Sequence, residues 1–110
     1  MAYDEKLAAR IRSLVDGEPA VVEKKMFGGL GFIVGGNMAV AATSDGGLLV
    51  RVGPAESDEL VRTTPAETMV MRGREMRGWL TVAADAVTTK KALAAWVDRG
   101  VSYARSLPPK

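Results

Sequence analysis

The chain has 110 residues, with 15 Lys plus Arg against 13 Asp plus Glu, a formal net charge of +2, and neither histidine nor cysteine. That length suits one domain able to fold on its own core, and the missing cysteines exclude disulfides, zinc–thiolate sites and thiol chemistry. The missing histidines remove the usual general base near neutral pH and the commonest metal ligand.

In chain order, Tyr3 to Asp16 reads as an amphipathic helix, because Leu7, Ile11, Leu14 and Val15 recur at the helical period. Asp4 and Glu5 fall in its first turn and Arg10 and Arg12 later, which suits the helix dipole. Gly17 is the expected C-terminal cap, and Pro19 blocks continuation. A β-rich block follows. Val21–Phe27 reads as a strand, Gly28-Gly29 interrupts it, and Leu30–Val34 resumes with Leu30, Phe32 and Val34 on one face. Gly35-Gly36-Asn37 is an expected tight turn, leading to a strand over Met38–Thr43. Ser44-Asp45-Gly46-Gly47 is a second hairpin signal, before a strand in which Leu48, Val50 and Val52 alternate with Leu49 and Arg51. Short loops between these strands imply an antiparallel meander.

Pro54 opens a short acidic-ended helix that stops by Thr63-Thr64-Pro65. Thr68–Arg72 and Met76–Val82 read as two strands around a Gly73-Arg74-Glu75 turn. The last helix runs from about Thr88 to Leu107 and buries Leu93, Trp96, Val97, Gly100, Ala104 and Leu107 on one face. Gly100 costs roughly 1 kcal/mol of helix propensity relative to alanine, so its place on that face implies close packing on the sheet. Pro108-Pro109-Lys110 reads as an extended tail. The expected fold class is α+β, an antiparallel sheet with helices packed on it, in one domain spanning 1–110. No apolar run reaches the roughly 18–20 residues of a membrane helix. The acidic start Met1-Ala2-Tyr3-Asp4-Glu5-Lys6 lacks a signal core, so a cytoplasmic, bacterial-type protein is expected.

Charge is unevenly spread. Residues 1–70 carry seven basic and ten acidic side chains, a net of −3, whereas residues 71–110 carry eight and three, a net of +5. Arg72, Arg74 and Arg77 sit on the last hairpin, and Lys24 and Lys25 on the first strand. Were the two hairpins adjacent, these five would form one interaction patch suited to phosphate backbones. Aromatic interleaving is weak, with only Phe27, Phe32 and Trp79 nearby, and the reading to set against the patch is solvated strand faces. Phe27-Gly28-Gly29-Leu30-Gly31 has the look of a phosphate loop but lies between two strands and opens no helix, so those glycines read as backbone geometry. Trp79 and Trp96 read as core or rim residues. Met26, Met38, Met69, Met71 and Met76 concentrate on the sheet and read as core filling, although methionine also makes adaptable binding surfaces. No serine or threonine has a histidine to activate it, so no catalytic residue, metal ligand or cofactor is expected.

Three stretches then resemble the N-terminal domain of the TfoX/Sxy family. They are Lys24-Lys25-Met26-Phe27-Gly28-Gly29-Leu30-Gly31-Phe32, Gly36-Asn37-Met38 and Leu49-Val50-Arg51-Val52. Gly73-Arg74-Glu75-Met76-Arg77-Gly78-Trp79, Ala95-Trp96-Val97 and Tyr103–Lys110 are similar to that family's final hairpin, closing helix and tail. The resemblance implies a secretion-chaperone-like α+β fold ordered α-β(3–4)-α-β(2)-α. It makes Met26, Phe27, Gly28, Gly29, Gly31 and Trp79 family-motif residues with structural roles. Two-domain members resemble competence regulators acting with the CRP transcription activator; the resemblance covers their first domain, and a single-domain member lacking the second is expected. The expected function is therefore a non-catalytic regulatory or protein-interaction module with a protein partner or a second copy of itself. The alternative is a nucleic-acid-associated module using the basic hairpin, and a third reading is a small-molecule binder with a glycine-lined groove.

Overall fold

The computed structural model describes residues 3–26 and 28–108. The elements are α1 (Glu5–Leu14), β1 (Val21–Met26), β2 (Gly29–Val34), β3 (Asn37–Ala42), β4 (Leu48–Arg51), α2 (Pro54–Thr63), β5 (Glu67–Met71), β6 (Arg74–Val82) and α3 (Lys90–Ser106). The expected order is met with four strands in the first block. A 3₁₀ turn at Ala84–Ala86, for which the sequence carries no expectation, leads into α3. Phe27, Pro109 and Lys110 lie outside the described residues.

Local chemistry explains the boundaries. Asp4 stands before α1 rather than in its first turn. Its carboxylate accepts from the N–H groups of Lys6 at 2.9 Å and Leu7 at 3.2 Å, satisfying two of the helix's orphan donors. Thr89 does the same for α3, accepting from Ala92 N–H at 3.1 Å. Val15, not Gly17, closes α1. Asn37 is not part of the turn. It opens β3, is 2% exposed, and donates from Nδ2 to the Pro108 carbonyl at 3.1 Å, tying β3 to the end of α3.

The strands form one antiparallel sheet in the order β1-β2-β3-β4-β6-β5. Alternate side chains of a strand leave on opposite faces. Leu30, Phe32 and Val34 of β2, Leu48 and Val50 of β4, and Leu80 and Val82 of β6 all join one core and are at most 5% exposed. Helix α3 packs across β2, β3 and β4 and touches α1, and α2 lies against β6 and β5. The register shifts between Phe32 and Ile33, so Val40 faces Phe32 while Met38 faces Ile33. Ala39 is the extra residue, and it shares this core with Val40.

Gly100 is where α3 comes closest to the sheet. A Cβ there would lie 2.4 Å from the Ala39 carbonyl oxygen and 2.8 Å from Val40 Cγ1, so only glycine allows the approach that its buried position implied. Two ion pairs tie helices to strands. Arg12 of α1 grips Glu23 of β1 at 2.6 and 2.7 Å, and Arg77 of β6 grips Asp58 of α2 at 2.7 and 3.3 Å. Among the described residues no helix is long and apolar enough to cross a membrane.

Candidate interaction face

All the helices leave one side of the sheet open. The residues between the core positions point there: Gly29 and Gly31 in β2, Ala41 in β3, Leu49 in β4, Trp79 and Thr81 in β6. Together with methionines from β1, β3, β5 and β6, all of these but Gly31, which lies beneath Met26 and Met38, line a concavity of about 470 Å³. All six strands and the turn after β3 contribute to its lining, and among the described residues no helical side chain does.

Met26, Met38, Met69, Met71 and Met76 all lie on this surface, each half-buried, and none belongs to the helix-side core. Reading them as core filling is therefore corrected. A sheet residue's parity, one position either way, decides which face receives it. Gly31 explains how two of them nest. A Cβ at Gly31 would lie 2.9 Å from Met38 Cε and 3.2 Å from Met26 Cε, so the two methyls occupy the space a side chain would need. Gly29 is held for another reason, because a Cβ there would lie 2.3 Å from the Ala42 carbonyl oxygen. Gly28 takes a left-handed φ of 75° in the β1–β2 connection. The glycine-rich segment joins two strands and opens no helix, so it lacks the frame of a phosphate loop. Phe27 of the same motif lies outside the described residues.

The two tryptophans divide between the faces. Trp96 is 5% exposed on α3, with the Arg99 guanidinium 4.7 Å from its ring centroid. Trp79 is half-buried on the open face. The Arg51 guanidinium sits 5.0 Å from its ring and 5.6 Å from that of Tyr103, a cation–π contact at one end of the face.

The five basic residues singled out in the sequence do not form one patch. Their hairpins are the opposite edges of the sheet, β1 at one and β5 at the other. Lys24 pairs with Gly31 and Lys25 with Leu30, so Lys24 shares the open side with Met26 while Lys25 turns to the other. Arg72 occupies the β5–β6 turn with a φ of 54°, and Arg74 pairs with Met71. Arg77 is engaged by Asp58. Among the described residues Lys24, Lys25, Arg72 and Arg74 make no ion pair. The +5 balance of residues 71–110 is likewise dispersed, since Arg105 Nε lies 3.0 Å from Glu18 Oε1, a charge contact rather than an aligned hydrogen bond.

Two carboxylates are tuned by their neighbours. The Arg12 hydrogen bonds hold the Glu23 carboxyl below the ordinary range. The Thr43 hydroxyl, then the Gly47 N–H, do the same for Asp45 at one end of the concavity. No group of three or more His, Cys, Asp or Glu side chains is placed to hold a metal ion among the described residues. What the face offers chemically is desolvation: adaptable apolar side chains over a glycine floor, with one half-buried cation–π pair.

The sequence held a signal for this face that core-filling logic obscured. Met69 and Met71 alternate with Thr68 and exposed Val70, and Leu49 alternates with Leu48 and Val50. Apolar residues at both parities of a strand mean that both faces are covered or that one awaits a cover.

The family model described as TfoX N-terminal domain matches residues 13–104. No curated protein and no solved structure matches the chain.

Proposed function

The chain belongs to the TfoX N-terminal domain family, and from that premise we propose that it is a non-catalytic regulatory module of the competence type that works by binding another protein. The observation that carries this reading is the open face. Five half-buried methionines and Trp79, with buried Leu49 beneath them, form one apolar surface that no helix of the described chain covers. Apolar surface gathered in one concavity on an otherwise charged domain marks an interaction site. The dispersal of basic residues over two sheet edges, with Arg77 engaged by Asp58, favours a protein over a nucleic acid as the partner.

Photo-crosslinking in the native cell tests it. A benzophenone side chain replacing Leu49 or Thr81 samples the open face, and one replacing Lys91 samples the exposed side of α3. Protein crosslinks from the two open-face positions, absent from position 91, are expected. Crosslinks to nucleic acid, or none from the open face, would overturn the reading.

A further inference from the structure

The open face has a definite span, chemistry and charge, and together these select its occupant. Resting on the protein-binding reading above, we infer that the face receives an acidic amphipathic α-helix of another protein.

The span comes first. The concavity is lined from β1 at one edge to β5 at the other. Five inter-strand spacings of ~4.8 Å make at most about 24 Å, which is about 16 residues of α-helix at 1.5 Å each. A strand added to the free edge of β5 would run beside Met69 and Met71 and never reach Met26, Met38 or Leu49. An element lying across the strands reaches all of them. A helix does so with one stripe of side chains at i, i+3, i+4 and i+7, while its own backbone groups stay satisfied. Methionine's three rotatable bonds let the floor mould to such a stripe.

Charge supplies the polarity of the partner. Lys24 stands at the β1 rim, Arg72 and Arg74 at the β5–β6 rim, and Arg51 over Trp79. Carboxylates on this side are fewer: Glu67, paired opposite Thr81, and Asp45, already engaged by Thr43 and Gly47. The two basic groups that fail to make one patch thus bracket the apolar floor. Acidic residues flanking an apolar stripe meet cations at both ends. A second copy of this face would set cation against cation, and duplex DNA would bring phosphates onto a floor of methionine that cannot solvate them.

The test uses the whole chain with ¹³C-labelled methionine methyls and three probes. The first is a 16-residue helix-forming peptide with a leucine stripe and glutamates elsewhere, the second replaces each glutamate by lysine, and the third is a 16-base-pair DNA duplex. The expected result is that the glutamate peptide moves the Met26, Met38, Met69, Met71 and Met76 methyl resonances and binds at least about ten-fold tighter than the lysine peptide. The combined K24E, R72E and R74E variant, changed only at exposed positions, is expected to reverse that order while K90E with K91E on α3 leaves it unchanged. Unmoved methyls, equal binding of the lysine peptide, or an unchanged order in the triple variant would each overturn the inference. So would preferential binding of the duplex, or methyl shifts that follow protein concentration without peptide, which would identify a second copy. If open-face crosslinks to protein form in cells while the glutamate peptide fails, the helix is wrong and the interaction module stands.

Discussion

The two faces of this sheet are built by the same strands one residue apart, and they differ in almost every physical respect. Toward the helices stand Phe32, Leu48, Leu80 and the valines at 40, 50 and 82, stiff or shape-specific side chains no more than 1% exposed. Toward the open side stand five methionines, a tryptophan and glycines, all but the glycines left half-buried. The first set has few rotamers to lose and locks α3 into register. The second keeps its conformational freedom until something covers it. Strand parity thereby separates the packed core from the open face, so that on the proposed reading fold stability and partner binding can be perturbed one without the other.

The sharpest way to break that comparison is truncation on the helix side. Phe32→Ala should cost about 3–5 kcal/mol, the transfer loss plus a cavity, read as a lower midpoint in denaturant unfolding. Met38→Ala, on the open face of the adjacent strand, should cost clearly less. Equal losses would mean that the open face is part of the stabilising core.

A second pair of variants adds a single methyl to each face. Gly100→Ala drives a Cβ into backbone oxygen and should destabilise by about 1–3 kcal/mol through overpacking, in spite of alanine's better helix propensity. Gly31→Ala meets only the mobile ends of Met26 and Met38 and should change stability by less than about 1 kcal/mol, because those ends can move aside. It should still shift both methyl resonances. A Gly31→Ala loss as large as that of Gly100→Ala would show that the methionine floor is rigid.

The smallest effect concerns the exposed pair that ties α1 to the β1 edge. Arg12 lowers the folded-state pKa of Glu23 below its ordinary value, so the pair's contribution is present above the ordinary carboxylate range and fades as pH falls through it toward the lowered value. Glu23→Gln should lower the thermal midpoint slightly at neutral pH, and the gap to the parent chain should close in acid. A gap independent of pH would assign the effect to something other than charge.

Much of the scaffold was legible from residues alone. Leu7 and Ile11 at the helical period, the Gly35-Gly36 turn, and Leu48, Val50 and Val52 in alternation place α1, the β2–β3 connection and β4 within a residue or two of where they lie. Gly100 foretold a close helix–sheet approach because a glycine in a buried helical stripe has no other use there. Asn37 has the composition of a turn residue but opens β3, because its amide meets the Pro108 carbonyl past the end of α3, a partner 71 residues away in the chain. The methionines suit core filling and the open face alike, because hydropathy records that a residue seeks apolar surroundings, not which side of the sheet supplies them.

The amino-acid sequence by itself determined which segments are helix and strand, the family, and the absence of histidine and cysteine chemistry. These follow from local periodicity, turn chemistry and composition, all of which act over a few residues. Only the tertiary structure decided that β1 and β5 are the two edges, that Lys24 at one rim and Arg72 and Arg74 at the other bracket a floor while Lys25 and Arg77 lie elsewhere, and that five methionines share one uncovered face. Strand order, and with it which face the helices cover, depends on pairings between distant segments, such as β4 with β6 across α2, and no local pattern encodes it.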